Sequence, residues 1–213
     1  MLVNQALIPE AKVLSTEAFM ARRKQKSRAF NPDRGSRHAN LNAPLPRMSE
    51  EELYEQIFEQ KDPTVLILDC IEDPHNLGAC LRTADAVGAL AVVTPKNKAA
   101  SLTETVRRVA SGGAESVPLI QVTNLAQSMN KMKEAGLFLI GTSDHATQDL
   151  YDLNLTGPIG IVMGSEGSGL RRLTMDTCDD LIRIPMEGTV PCLNISVATG
   201  VCLYEVVRQK LHK

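Results

Sequence analysis

Residues 157–170 read GPIGIVMGSEGSGL, and residues 181–209 read LIRIPMEGTVPCLNISVATGVCLYEVVRQ. Each opens on a short apolar run, 159–163 or 181–185, that empties directly into a glycine-bearing loop. Strands ending in glycine let backbone come close to a ligand, since glycine tolerates positive φ and has no Cβ in the way. The second loop runs into a helical segment expected over 194–211, with Asn and Ser available as caps at its start. In open α/β sheets, ligands bind at loops on the carboxyl ends of strands. These two loops are therefore the expected site.

Working outward, the same alternation continues upstream. Ser49 followed by Glu52 has the spacing of a capping box, predicting a helix to about Gln60 that buries Leu53, Ile57 and Phe58. Residues 64–68 form a continuous leucine and β-branched run, the pattern of a buried parallel strand. Next come a loop to Asn76, a helix over 77–87, a strand over 89–93 and a helix over 98–111. A short strand within 116–122, a helix over 124–135 with Leu125, Met129 and Met132 on one face, and a strand over 137–141 complete the series. Strands alternating with helices imply an α/β fold with a parallel sheet flanked by helices.

Residues 1–48 differ from the rest. Between Met20 and Met48 eight Arg and Lys residues face Asp33 alone, a net +7 within a chain whose formal charge is −2. Pro32, Gly35, Pro44 and Pro46 break that stretch, which lacks the apolar residues for a core. It reads as a basic arm on a catalytic domain spanning 49–213, or as a solvated linker. The five cysteines show no C-x-x-C spacing, favouring free thiols in a reducing compartment. No run approaches the roughly 18 apolar residues of a membrane span, and the first residues lack a secretory pattern, so a cytoplasmic protein is expected. Neither G-x-G-x-x-G nor a P-loop is present, and the histidines and cysteines form no metal-ligand spacing, so no metal is expected.

Three segments together resemble the SpoU/TrmH family of RNA ribose 2′-O-methyltransferases. MGSEGSGL and IPMEGTVPCLNISVATGVCLYE are similar to its second and third motifs, and LDCIEDPHNLGACLRTADAVGALAVV to its first, with the N-x-G-x-x-x-R core at Asn76, Gly78 and Arg82. The linking segment VASGGAESVPLIQVTNLAQ points to the branch that methylates guanosine in 23S rRNA. The resemblance implies a SPOUT fold with a C-terminal deep trefoil knot, S-adenosylmethionine as methyl donor, an RNA partner and a homodimer. For the dimer, Val197, Val201, Leu203, Val206 and Val207 would supply apolar surface. By motif position it places Thr142, Met163, Gly164, Gly167, Ile184, Met186 and Leu193 around the cofactor, and Asn76, Arg82, Glu166 and Asn194 at the chemistry. It puts Glu115 and Ser196 near the RNA. The family assigns Arg82 to activating the ribose hydroxyl, but a guanidinium scarcely releases its proton, and its planar fork binds phosphate equally well. Glu166 would orient loop groups or Asn76. Cys192 departs from the family's usual serine, and a thiol donates a weaker hydrogen bond. A tRNA-directed relative and a catalytically silent RNA-binding relative are the alternatives.

Overall fold

The computed structural model describes residues 41, 43–165 and 167–212; the arm up to Asn40, and Glu166, lie outside the described residues. Helix α1 (Glu50–Glu59) begins with the expected reciprocal cap between Ser49 and Glu52. It buries Leu53 and Ile57, whereas Phe58 is 81% exposed, because a residue one step beyond Ile57 turns 100° away from the sheet. Strand β1 (Thr64–Leu68) follows as read.

Helix α2 (Pro74–Val87) starts earlier than expected. Its N-cap is Asp73, whose Oδ1 accepts from the His75 backbone N–H at 2.9 Å, and Pro74 fits the first turn since it has no N–H to satisfy. Asn76 is therefore inside the helix, not at its cap. Gly88 closes α2 in the left-handed conformation, with φ 71°. Strand β2 (Ala91–Pro95) leads to α3 (Glu104–Ala110), which is shorter than read. The preceding residues cannot join it, because Lys98 has φ 56° and Thr103 supplies the cap. A 3-10 turn (Gly113–Glu115), β3 (Leu119–Val122), α4 (Leu125–Glu134) and β4 (Phe138–Thr142) come next. The two-residue β5 (Gln148–Asp149), β6 (Ile159–Met163), α5 (Arg172–Thr177), β7 (Asp180–Arg183) and α6 (Ile195–Leu211) complete the order.

All seven strands pair in parallel in the order β3-β2-β1-β6-β4-β7-β5. Side-chain alternation divides the core between the sheet's two faces. Leu66 and Leu68 join Leu77 and Leu81 of α2 and Leu203 and Val206 of α6; Val65 and Ile67 join Leu53 and Ile57 of α1 and Met129 and Met132 of α4. Leu203 and Val206 are thus core, not spare surface for a partner. The outer stripe of α6 is instead Val197, Val201, Tyr204 and Leu211, of which Tyr204 is 54% exposed. Because the strands run parallel, the loops leaving β1, β4, β6 and β7 emerge at one end of the sheet. There they meet the start of α6.

Candidate active site

The glycine loop after β6 folds back on itself. Ser165 and Gly169 exchange backbone hydrogen bonds of 3.0 and 2.9 Å, while Gly167 and Gly169 take φ of 86° and 65°. Gly164 sits against that turn so closely that a Cβ on it would lie 2.2 Å from the Gly169 carbonyl carbon. Glycine is the one residue that fits there.

Between this loop, the end of β4 and the β7–α6 segment lies a cavity of about 330 Å³. All seven residues expected around a cofactor line it: Thr142, Met163, Gly164, Gly167, Ile184, Met186 and Leu193. Leu170, Met175 and Ile182 give it an apolar wall, beside the polar Thr142, Ser143, Ser165 and Ser168. Such a mix of apolar wall and a few polar groups is what a small-molecule site requires. Ile184 and Leu193 are partly buried and line the cavity, and Ile184 also packs against the core. Asp144, His145 and Cys192 also line it. Asp144 and His145 fall in a loop with no periodicity to single them out. Cys192 is exposed, whereas Cys80, Cys178 and Cys202 are pushed up to about 11, 12 and 12, chiefly by burial.

A second cavity, of about 460 Å³, adjoins the first through Ser165, Ser168 and Ile195. Its wall includes Asn76, Cys70, Glu72, Lys98 and Arg171. Cys70 and Lys98 both have positive φ, 62° and 56°, a conformation L-residues adopt at a cost and often at functional sites. Asn194 caps α6, its Oδ1 accepting from the Ser196 backbone N–H at 2.9 Å and from the Ser196 hydroxyl at 2.6 Å. Its Nδ2 reaches Asn76 Oδ1 at 3.2 Å. Asn194 and Ser196 therefore stand between the cavities' linings and do not themselves line either.

Arg82 is elsewhere. On a helix six residues separate Asn76 and Arg82 by 240° around the axis. Arg82 is exposed, lines neither cavity and donates weakly to Ser111 Oγ at 3.4 Å. Below it the 3-10 turn packs tightly, since a Cβ on Gly113 would lie 2.9 Å from the Arg82 Cα.

Glu115, read from the resemblance as lying near the RNA, is largely buried in an ion pair. Its side chain is 12% exposed and pairs with Arg107 Nε at 2.8 Å; Arg107 also donates to the Leu41 and Ala43 carbonyls at 2.6 and 3.0 Å. Glu115 thus helps fix the base of the arm. Arg171 is the residue that sequence reading missed: its Nε and Nη2 reach Asp69 Oδ1 at 2.7 and 2.6 Å, and its backbone N–H reaches Oδ2 at 3.0 Å. Asp69 is wholly buried, and this carboxylate holds the Arg171 guanidinium above its ordinary range. Among the described residues no group of three or more His, Cys, Asp or Glu is placed to hold a metal ion, and no helix is long and apolar enough to cross a membrane.

Comparison with known proteins agrees with this geometry. Residues 63–204 match the SpoU rRNA Methylase family. The chain is 53% identical over 180 residues to the 23S rRNA (guanosine-2′-O-)-methyltransferase RlmB of Vibrio cholerae, covering 83% of this chain and 73% of that protein. To the Pseudomonas putida enzyme of the same name it is 54% identical over 162 residues, covering 75% of this chain and 65% of that one. Among solved structures, the SpoU methyltransferase AviRb from Streptomyces viridochromogenes with its cofactor AdoMet matches with a TM-score of 0.69 at 30% identity, covering 75% of this chain and 65% of AviRb. The A. aeolicus TrmH/SpoU tRNA modifying enzyme matches with a TM-score of 0.65 at 30% identity, covering 76% and 85%. The three motifs, their convergence on one cavity and these likenesses give one answer: the chain belongs to the SpoU rRNA methylase family.

Proposed function

We propose that this chain transfers the methyl group of S-adenosylmethionine to the 2′-hydroxyl of a guanosine in 23S rRNA. The observation that carries it is the convergence of all seven expected cofactor residues on one apolar-walled cavity that opens into a polar one containing Asn76. Relatives about 52% identical over most of the chain are named for that reaction. The donor supplies an electrophilic methyl on a sulfonium. The chain supplies placement, which in ideal systems is worth roughly 7–11 kcal/mol of barrier. Gly164 and Gly167 bring backbone to the donor, Ile184 and Leu193 form its apolar wall, and Thr142 and Met163 close the floor.

Asn76 and Asn194 fix the wall beyond it, and Glu166 is assigned to the glycine loop that borders both cavities. Arg82, exposed beside Ser111, takes the RNA backbone, leaving the hydroxyl proton to water or phosphate. The basic arm captures RNA, so affinity should fall steeply with salt. Deletion through Asn40 spares the carbonyls held by Arg107 and should raise KM for rRNA while leaving kcat unchanged; an unchanged KM would make the arm an inert linker. The protein acts in the cytoplasm as a homodimer joined through the outer stripe of α6, with a C-terminal trefoil knot. The position of β4 between β6 and β7, both later in the chain, supports such threading; an unthreaded path in a crystal structure would remove it.

The deciding experiment maps 2′-O-methyl groups in the RNA of a strain lacking the gene. One guanosine of 23S rRNA should lose its mark, and purified protein with S-adenosylmethionine should restore it. A lost mark in tRNA would transfer the activity to the tRNA-directed reading. No lost mark, together with no binding of S-adenosylmethionine, would favour a silent RNA-binding protein.

A further inference from the structure

We propose that the second cavity receives the guanine base of the target nucleotide and that Arg171 reads its O6/N7 edge. The proposal rests on the guanosine methyltransferase reading above. Arg171 is built as a fixed donor. Two hydrogen bonds and an ion-pair contact to the wholly buried Asp69 hold its backbone and the rear of its guanidinium, from 102 residues away in the chain. The side chain is nonetheless 51% exposed, lines the cavity, and among the described residues its Nη1 has no partner. A guanidinium clamped along one edge leaves the other as a rigid pair of donors, and such a pair matches two adjacent acceptors.

Two anionic or electron-rich partners offer adjacent acceptors in RNA: a phosphodiester and the O6/N7 edge of guanine. The rest of the wall decides between them. Lys98 and Arg171 are balanced there by Glu72 and Asp73, so the lining carries no net charge. Glu72 has no hydrogen-bond partner among the described residues, and a carboxylate beside a phosphate would repel it. Guanine needs the mixture, because it has an acceptor pair at O6 and N7 and a donor pair at N1–H and N2–H₂. The cavity also borders the cofactor site along Ser165, Ser168 and Ile195, which puts a base held there within one nucleotide of the reacting ribose. Arg171 is a positioning and specificity residue in this scheme.

The test uses the full chain and a 23S rRNA fragment carrying the mapped guanosine, or 7-deazaguanosine or inosine in its place. Arg171→Lys should lower kcat/KM on the guanosine fragment on the order of 10- to 100-fold, the span of one bidentate base contact, with S-adenosylmethionine affinity unchanged. For the wild type, 7-deazaguanosine should cost about tenfold, and this penalty should vanish in Arg171→Lys, whose contact to N7 is already gone. Inosine, which lacks the 2-amino group, should cost both proteins alike. A merely structural Arg171 would weaken all three substrates equally and keep the 7-deaza penalty, overturning the proposal. So would a wild type indifferent to either analogue, a comparison that needs no variant to fold. Failure of the wild type to methylate the guanosine fragment at all would instead remove the functional reading beneath it.

Discussion

Asn194 donates from Nδ2 to Asn76 Oδ1 at 3.2 Å, joining the first and third motifs across 118 residues of chain. Its Oδ1 meanwhile caps α6. One amide thus serves two tasks, and two substitutions separate them. Asn194→Asp retains the acceptor that caps the helix but sets a carboxylate against the Asn76 oxygen. It should keep most stability and lose methyl transfer. Asn194→Ala loses the cap as well and should cost about 0.5–2 kcal/mol in urea unfolding. Equal activity in the aspartate variant and the wild type would show that the tie is dispensable.

Arg82→Ala should leave the unfolding midpoint and S-adenosylmethionine affinity unchanged, since the side chain is exposed and alanine suits a helix interior. Methyl transfer should fall by about 100-fold, the scale of misplacing the reacting ribose by about 1 Å once its backbone contact is lost. Turnover kinetics with saturating cofactor check this. A variant that keeps most of its turnover would leave Arg82 without a role in the reaction.

Gly164→Ala should abolish cofactor binding. The new methyl would stand 2.2 Å from the Gly169 carbonyl carbon and 2.3 Å from the Leu170 nitrogen, both backbone atoms, so the loop itself must open. Titration calorimetry with S-adenosylmethionine should show no heat at concentrations that saturate the wild type. Normal affinity would mean that the glycine loop does not shape the site.

Glu205 should make stability sensitive to acid. It is 6% exposed, and Arg208 reaches both its oxygens at 2.7 Å while Gln209 donates at 2.8 Å. The Arg208 hydrogen bonds chiefly, against the opposing effect of burial, hold its carboxyl below the usual glutamate range. A lowered folded-state pKa contributes stability above the unfolded value, lost as pH falls through the folded one. Glu205→Gln should cost roughly 1–3 kcal/mol at neutral pH and flatten the loss of stability from about 4.5 downward. Denaturant titrations at several pH values give the slope, and identical slopes would remove the claim.

Tyr204→Glu should break the proposed dimer without unfolding the chain, because Tyr204 is 54% exposed on α6 between the buried Leu203 and Glu205. Light scattering at micromolar concentration reads the mass. A wild-type monomer would overturn the dimer outright.

How far the sequence led depended on how local each signal was. The runs at Thr64–Leu68 and Ile159–Met163 are strands to the residue, because buried parallel strands are written as unbroken apolar runs. That Thr142, Met163, Gly164, Gly167, Ile184, Met186 and Leu193 share one cavity was legible through the motifs. The start of α2 was not: Asp73 and Pro74 form the cap and first turn, and Asn76 imitates a cap three residues too late. The six-residue α5 and two-residue β5 are too short to show any period. Arg171 carries no sequence signal of its own, and what distinguishes it is the carboxylate of Asp69, just past β1 and 102 residues away. The burial of Glu115 was not legible for the same reason. Its partner Arg107 and the carbonyls of residues 41 and 43 come together only through the tertiary fold.

The strand order also sets when this protein can come into being. On one side β1 pairs with β2, made soon after it, but on the other with β6, which begins at Ile159. At roughly 5–20 residues per second of synthesis, the middle of the sheet waits several seconds with one edge bare. Lys210 then ties the end of α6 to the Asp62 carbonyl and the Thr64 hydroxyl, both at 2.8 Å, at the entrance to β1. The nascent chain therefore reaches its finished form only after its last turn of helix has left the ribosome. A chain cut before Lys210 would leave the first strand's doorway unlatched.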